Sequence, residues 1–248
     1  YQCTSKVKHF YPSGRLMRTI PISNGNIYGH VLAYHLNDAL KYMGLFLDSK
    51  REGIHQYFYS DNKLMYKGNY FMDLKRGYHY WYHFNGLLER FTFYIDNKKH
   101  GKEVVYHPDG SFRWIINYNY NKIDGTAEFY KDTFENLKHI EIPIKNNVVN
   151  GLFVLYNMNG LIQYQGYIRN GYPVGLHKSY YNNGHIKKII EFKNGKIHGF
   201  MKEFYSNGSL KSIVKYTNNL KTSRENTWHN KRGLKSSVKY VQNKKSGM

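Results

Sequence analysis

The stretch GLHKSYYNNGHIKKIIEFKNGKIHG (residues 175–199) decides the fold. Asn183-Gly184 separates two runs rich in apolar and aromatic residues, and Asn-Gly in that setting is a strong short-range signal for a β-hairpin. A second turn signal, Asn194-Gly195, follows, and the opening glycine returns at Gly199. Outward from here the step of twenty-four residues persists. Gly29, Gly53, Gly77, Gly101 and Gly125 keep it, and after one slip of two residues Gly151, Gly175 and Gly199 resume it. Self-similarity at such a period is the signature of a repeat architecture.

With the anchor glycine as position zero, plus five is aromatic: Tyr34, Phe58, Tyr82, Tyr106, Tyr130, Tyr156, Tyr180 and Phe204. Plus eight and nine form a turn pair, such as Asn85-Gly86, Asp109-Gly110 and Asn207-Gly208. Asn37-Asp38 and Asp61-Asn62 replace it with residues that tolerate positive φ. Plus eleven is apolar, plus seventeen is mostly aromatic, and plus twenty is a second turn residue. Each unit therefore reads as strand, tight turn, strand, turn, with the anchor glycine between successive hairpins. A two-residue turn puts plus six and plus eleven on one face. A three-residue bulged loop puts plus five with plus eleven, so the two faces stay open. Pro143 has no N–H to donate, so its strand is expected to be interrupted or bulged.

These residues predict an all-β chain whose sheet is a single curved layer of about ten hairpin repeats. One array covers 1–248. An N-terminal cap spans 1–28, regular repeats span 29–222 with a two-residue insertion near 132–137, and a basic C-terminal cap spans 223–248.

The chain has 248 residues, of which 37 are Lys or Arg and 17 are Asp or Glu, for a net charge of +20. Such a field attracts polyanions and acidic proteins. The single Cys3 excludes an intrachain disulfide framework. No apolar run approaches the roughly 20 residues of a membrane span, and no signal peptide is seen. The start at Tyr1 fits a processed, trimmed or partial chain. A soluble, cytoplasmic or virion-associated location is expected.

No convergent catalytic set emerges, and no catalytic, cofactor or metal residue is assigned. His35, His83, His107 and His229 share plus six, while His55, His79 and His177 share plus two. Equivalent slots lie two strands apart, roughly 9 to 10 Å, too far for one zinc ion. These histidines are expected to be half-exposed strand residues. Cys3 has only His9 near it in sequence, and no spacing pairs two carboxylates. The glycines form neither phosphate-binding motif. The basic residues are more informative: Lys231, Arg232, Lys235, Lys239, Lys244 and Lys245 crowd the C-terminal end, a candidate contact for a polyanion or partner.

Residues 181–184, residues 193–199 and the run Glu203-Phe204-Tyr205-Ser206-Asn207-Gly208-Ser209-Leu210 resemble the MORN-repeat superfamily, in its variant bacterial and viral branch. The likeness extends over nearly the whole chain, though the tryptophan of the standard motif is mostly Tyr or Phe here. The resemblance implies an elongated single-layer antiparallel β-sheet solenoid of 24-residue hairpins. It also implies a scaffold or binding surface, as in bacterial antitoxins or the arrays of large DNA viruses. The expected protein is non-enzymatic. Its partner would be an acidic protein surface, a capsid neighbour or a toxin. Binding of nucleic acid or anionic lipid by the C-terminal end is the alternative.

Overall fold

The computed structural model describes residues 5–133, 135–230 and 233–245. Among them there is no helix; twenty-five short strands follow one another along the chain. They group into two compact units, Tyr1–Ile123 with Asp132–Glu135, and Asp124–Lys131 with Asn136–Met248. Within each unit the strands form a single layer of antiparallel hairpins, each strand paired with its neighbours in sequence. The all-β hairpin architecture is the one the residues predict.

Two different turns alternate. The loop at plus eight and nine has three residues, closed by Asn62 N–H to the Tyr59 carbonyl at 3.1 Å and Tyr59 N–H to the Lys63 carbonyl at 2.9 Å. Its last residue is left-handed: Asp38 (φ 63°), Asn62 (φ 65°), Gly86 (φ 88°) and Gly184 (φ 83°). This is the bulged hairpin loop, and it pairs Phe58 with Leu64 and Tyr57 with Tyr66. Plus five and plus eleven are therefore opposed, which settles the register that the sequence leaves open.

The other turn has two residues, both left-handed: Asp48-Ser49, Met72-Asp73, Asp96-Asn97, Tyr120-Asn121 and Asn218-Asn219. Two successive positive φ angles match the right-handed twist of the flanking strands. The second turn residue also reaches back twenty-two positions. Asn97 N–H donates to the Lys75 carbonyl at 3.1 Å, and Lys75 N–H donates to Asn97 Oδ1 at 2.8 Å. The same reciprocal pair joins Asp73 to Arg51, Asn121 to Lys99, Asn219 to Ile197 and Asn243 to Lys221. At Gly195, which has no side-chain acceptor, the residue twenty-two back is Pro173, which has no N–H. Only the single bond from Gly195 N–H to the Pro173 carbonyl remains there, at 3.0 Å.

The anchor glycine is not in a turn, contrary to the expectation. Gly53 (φ 66°) lies inside the strand Lys50–Phe58. Lys50, Arg51 and Glu52 pair with the preceding strand, then pairing jumps from Glu52 to His55. The glycine's left-handed backbone makes this bulge, so one strand serves two neighbours in shifted register. Pro143 likewise corrects its expectation. Its own strand, Lys138–Lys145, is continuous. The break falls in the next strand, between Val148–Val149 and Gly151–Tyr156. A Cβ on Gly151 would lie 2.8 Å from Pro143 Cβ, so glycine gives the ring its room.

The extra residues at 132–137 lengthen one hairpin loop, where Lys131 N–H donates to the Leu137 carbonyl at 2.9 Å.

Asn97 tests the turn ladder. Asn97→Ala should lose the acceptor and strain a left-handed residue, destabilising by about 1–3 kcal/mol. Asn97→Gly should lose about 1 kcal/mol, for the acceptor alone. Chemical-denaturation midpoints of the two variants check the order.

Candidate binding face

Within each unit, strand alternation and the observed register put plus two, four, thirteen, fifteen and seventeen on the same face. This face holds the buried histidines. His55, His79 and His177 are 1%, 0% and 2% exposed, which corrects the expectation that they are half-exposed. Each ring fits where the facing residue is glycine. A Cβ on Gly44, Gly68 or Gly166 would lie 2.3, 2.2 or 2.1 Å from the imidazole Nδ1. The pattern is Tyr-x-Gly followed by His eleven residues after the glycine: Tyr42, Gly44, His55; Tyr66, Gly68, His79; Tyr164, Gly166, His177. This signal is present in the sequence but escaped the slot-by-slot reading.

The hydrogen bonds fix the tautomer. His79 Nε2 lies 3.0 Å from the Asn69 carbonyl. A carbonyl only accepts, so Nε2 carries the proton. Nδ1 must then accept, and Tyr66 Oη donates to it at 2.5 Å. Tyr70 Oη in turn donates to Tyr66 Oη at 2.9 Å. His55 and His177 repeat the arrangement with Tyr42 and Tyr164. Burial, then the Lys75 charge, hold His79 at about 4, below the 6.5 of free imidazole. Burial lowers His55 and His177 in the same direction. In the next repeat the slot holds Glu103, 4% exposed. It accepts from Thr92 Oγ1 at 2.9 Å and from Lys99 Nζ at 2.6 Å.

Above this layer lie aromatic rings, each capped by a cation. Arg51 stands 4.2 Å from the Tyr70 ring centre, Lys75 5.0 Å from Tyr94, Lys99 4.8 Å from Tyr118 and Lys221 4.5 Å from Tyr240. Arg90 covers Trp81 at 4.0 Å, and Lys75 lies 5.7 Å from the same ring. Attraction to the ring quadrupole gives each such contact about 0.5–1 kcal/mol at exposed sites. Tyr57, Tyr59, Tyr66, Trp81 and Tyr82, with Met65, Lys75 and Glu89, line an open groove of ≈ 480 Å³.

The plus-six histidines have another role, at the loop edge. His35 Nε2 donates to the Phe58 carbonyl at 2.9 Å and His83 Nε2 to the Tyr106 carbonyl at 3.2 Å. Tyr11, Tyr59, Tyr181 and Tyr205 make the same bond through their hydroxyls, each to a carbonyl of the next repeat.

In the second unit Glu128 and Glu141 face each other across a strand pair. Lys138 Nζ lies 2.6 Å from Glu141 and 3.4 Å from Glu128 and offsets their repulsion. Tyr130 Oη donates to Glu128 at 2.6 Å, and burial with this bond pushes Tyr130 up to about 12.

Of the C-terminal basic residues, Lys235 and Lys239 lie exposed on the strand Leu234–Val241. Lys239 is opposite the exposed Arg224, a like-charge pair. Lys244 is exposed on the strand Lys244–Lys245; of Lys245 only the backbone is described. Lys231, Arg232 and Cys3 lie outside the described residues. Among the described residues, no group of three or more His, Cys, Asp or Glu could hold a metal ion.

Three stretches of the chain, residues 51–71, 173–194 and 197–218, match the family model described as MORN repeat variant. Three of its repeats are thus similar to that family. No curated protein matches it. Two solved structures show a likeness at 10% identity and a TM-score of 0.23: a crystal structure of TcdB2-TccC3-Cdc42, and the Photorhabdus luminescens Tc holotoxin pore with the TccC3-D651A mutation. Each covers 95% of this chain, which spans only 14% and 15% of those chains.

Two outcomes are expected. Gly68→Ala should destabilise by about 1–3 kcal/mol through overpacking, and His79→Ala should cost less in that background than in the native chain, as a double-mutant cycle measures. The second concerns pH. The unfolded chain takes up a proton at His79 near 6.5, the folded chain only near 4. Stability is therefore full above about 7, falls as pH drops through 6.5, and levels off below about 4. Lys75 and Arg51 face this ring and reinforce the shift. His79→Gln should flatten part of the slope in denaturation midpoints between about pH 7 and about pH 4.

Proposed function

We propose that the chain is a non-enzymatic repeat protein that holds a protein partner, a scaffold rather than a catalyst. One observation carries this reading. The three buried histidines are committed to the fold: His55, His79 and His177 use both ring nitrogens on tyrosines and backbone carbonyls. What the repeats leave exposed is surface suited to recognition. On one face lies the aromatic and cationic groove. At plus one, on the opposite face of its own unit, stand Ile54 and Tyr78 in the first unit and Leu152, Leu176 and Phe200 in the second, each at least 40% exposed. Exposed apolar rows of this kind mark protein interaction sites.

The reading has two versions, a component of a large-DNA-virus particle and an antitoxin that neutralises a bacterial toxin. Co-expression with the products of the adjacent genes tests it. The expected result is a stoichiometric complex stable through size-exclusion chromatography. A chain that stays alone and turns over a small substrate would overturn it. Rescue of cells from a co-encoded toxin selects the antitoxin version, and incorporation into particles selects the other.

The exposed Lys235, Lys239 and Lys244 favour a second reading, contact of this end with a polyanion. Retention on heparin should fall steeply between about 50 and about 500 mM salt and weaken when the three lysines become serine. Unchanged retention in the triple variant would remove this end from the contact.

A further inference from the structure

Four cations stand close together on the histidine face of the first unit: Arg51, Lys75, Arg90 and Lys99. The outer two are neutralised. Arg51 pairs with Asp73 at 3.0 Å and Lys99 with Glu103 at 2.6 Å. Lys75 and Arg90, between them, meet no carboxylate within ion-pair distance among the described residues. Arg90 Nε is buried and has no hydrogen-bond partner. Lys75 is half-buried, and its ammonium is lowered by burial and by the charges of Arg51, Arg90 and Lys99. A buried donor without an acceptor is destabilising, and crowded like charges add to that. Both cations rest on Trp81, which opens onto the aromatic groove.

We propose that Lys75 and Arg90, held on Trp81, anchor a carboxylate of an extended acidic segment of the protein partner. The proposal rests on the scaffold reading and says where and by what chemistry the partner is held. A single carboxylate would ion-pair with Lys75, which lines the groove, and offset the mutual repulsion of the two cations. At the anchor itself a stacked base is disfavoured: stacking needs a free aromatic face, and Trp81, the ring both cations share, is covered by Arg90. Glu89 in the groove wall can accept a backbone N–H of a polypeptide. What the groove offers is cationic donors and phenolic hydroxyls, the complement of a carboxylate flanked by amides and apolar side chains.

Fluorescence anisotropy with the full chain, a labelled twelve-residue poly-glutamate peptide and a labelled twelve-nucleotide oligo-dT tests this. The peptide should bind more tightly than the oligonucleotide. Lys75→Met and Arg90→Gln should each weaken peptide binding about tenfold or more, while Lys75→Arg should retain it. The pair Lys6→Ser and Lys8→Ser, both exposed on the strand Ser5–Phe10, should change it less than about twofold, which separates the groove from the general field of a +20 chain. Matching circular dichroism and melting curves establish that each variant is folded. Should Arg90→Gln fail to fold, Lys75→Met against Lys75→Arg decides. Peptide binding that is absent, insensitive to Lys75, or weaker than that of the oligonucleotide overturns the proposal. The scaffold reading would survive such a result if the native chain still formed the co-expressed complex, and would fall with it if the native chain formed none.

Discussion

The left-handed two-residue turn is the constraint on which the rest of each unit depends. Two positive φ angles in succession are adopted only where the residues tolerate them, and Asn, Asp and Gly hold most of these positions. Once made, the turn pairs the last residues of one strand with the first of the next. Its second residue then fastens to the backbone twenty-two positions earlier. This second link turns a series of hairpins into a laterally bonded array. Burial alone would not do it: only eight hydrophobic residues among those described are buried, and three of them are tyrosines. The array is therefore held by directed polar bonds along both edges, with the aromatic layer between them.

Much of this was legible in the sequence and some was not, for identifiable reasons. Asn183-Gly184 and Asn194-Gly195 announce turns because their chemistry is local. The anchor glycine was misplaced because a bulge and a turn ask the same thing of a residue, a positive φ, and periodicity alone does not distinguish them. The faces stayed open because loop length, which decides them, changes by a single residue between the two hairpin types. Pro143 was read through its missing N–H, while its larger effect is steric, on Gly151 of the neighbouring strand.

The candidate site was less legible still. Charge density along the chain drew attention to Lys235, Lys239 and their neighbours, because counting finds clusters that are local in sequence. Lys75 and Arg90 sit on adjacent strands fifteen residues apart. Their distinction from Arg51 and Lys99 is the absence of a carboxylate partner, which only three-dimensional placement reveals. The buried histidines were equally hidden: each depends on a glycine eleven residues earlier that no reading of single slots connects to it.

The pairing of Pro173 with Gly195 bears on how such an array can change by recombination. Pro173 lacks the donor and Gly195 lacks the acceptor, so together they leave neither side of the missing bond unmatched. Gly166 and His177 are bound in the same way by volume. From Gly166 to Gly195 is a span of thirty positions, longer than the twenty-four of a repeat. Any single-repeat segment that carries both Pro173 and Gly195 leaves Gly166 behind and brings Met201 to face it in place of His177. The unit of exchange in this molecule is thus larger than its unit of repetition. Lengthening or shortening by one repeat within this span disturbs a matched pair, whereas a longer block can carry its dependencies with it.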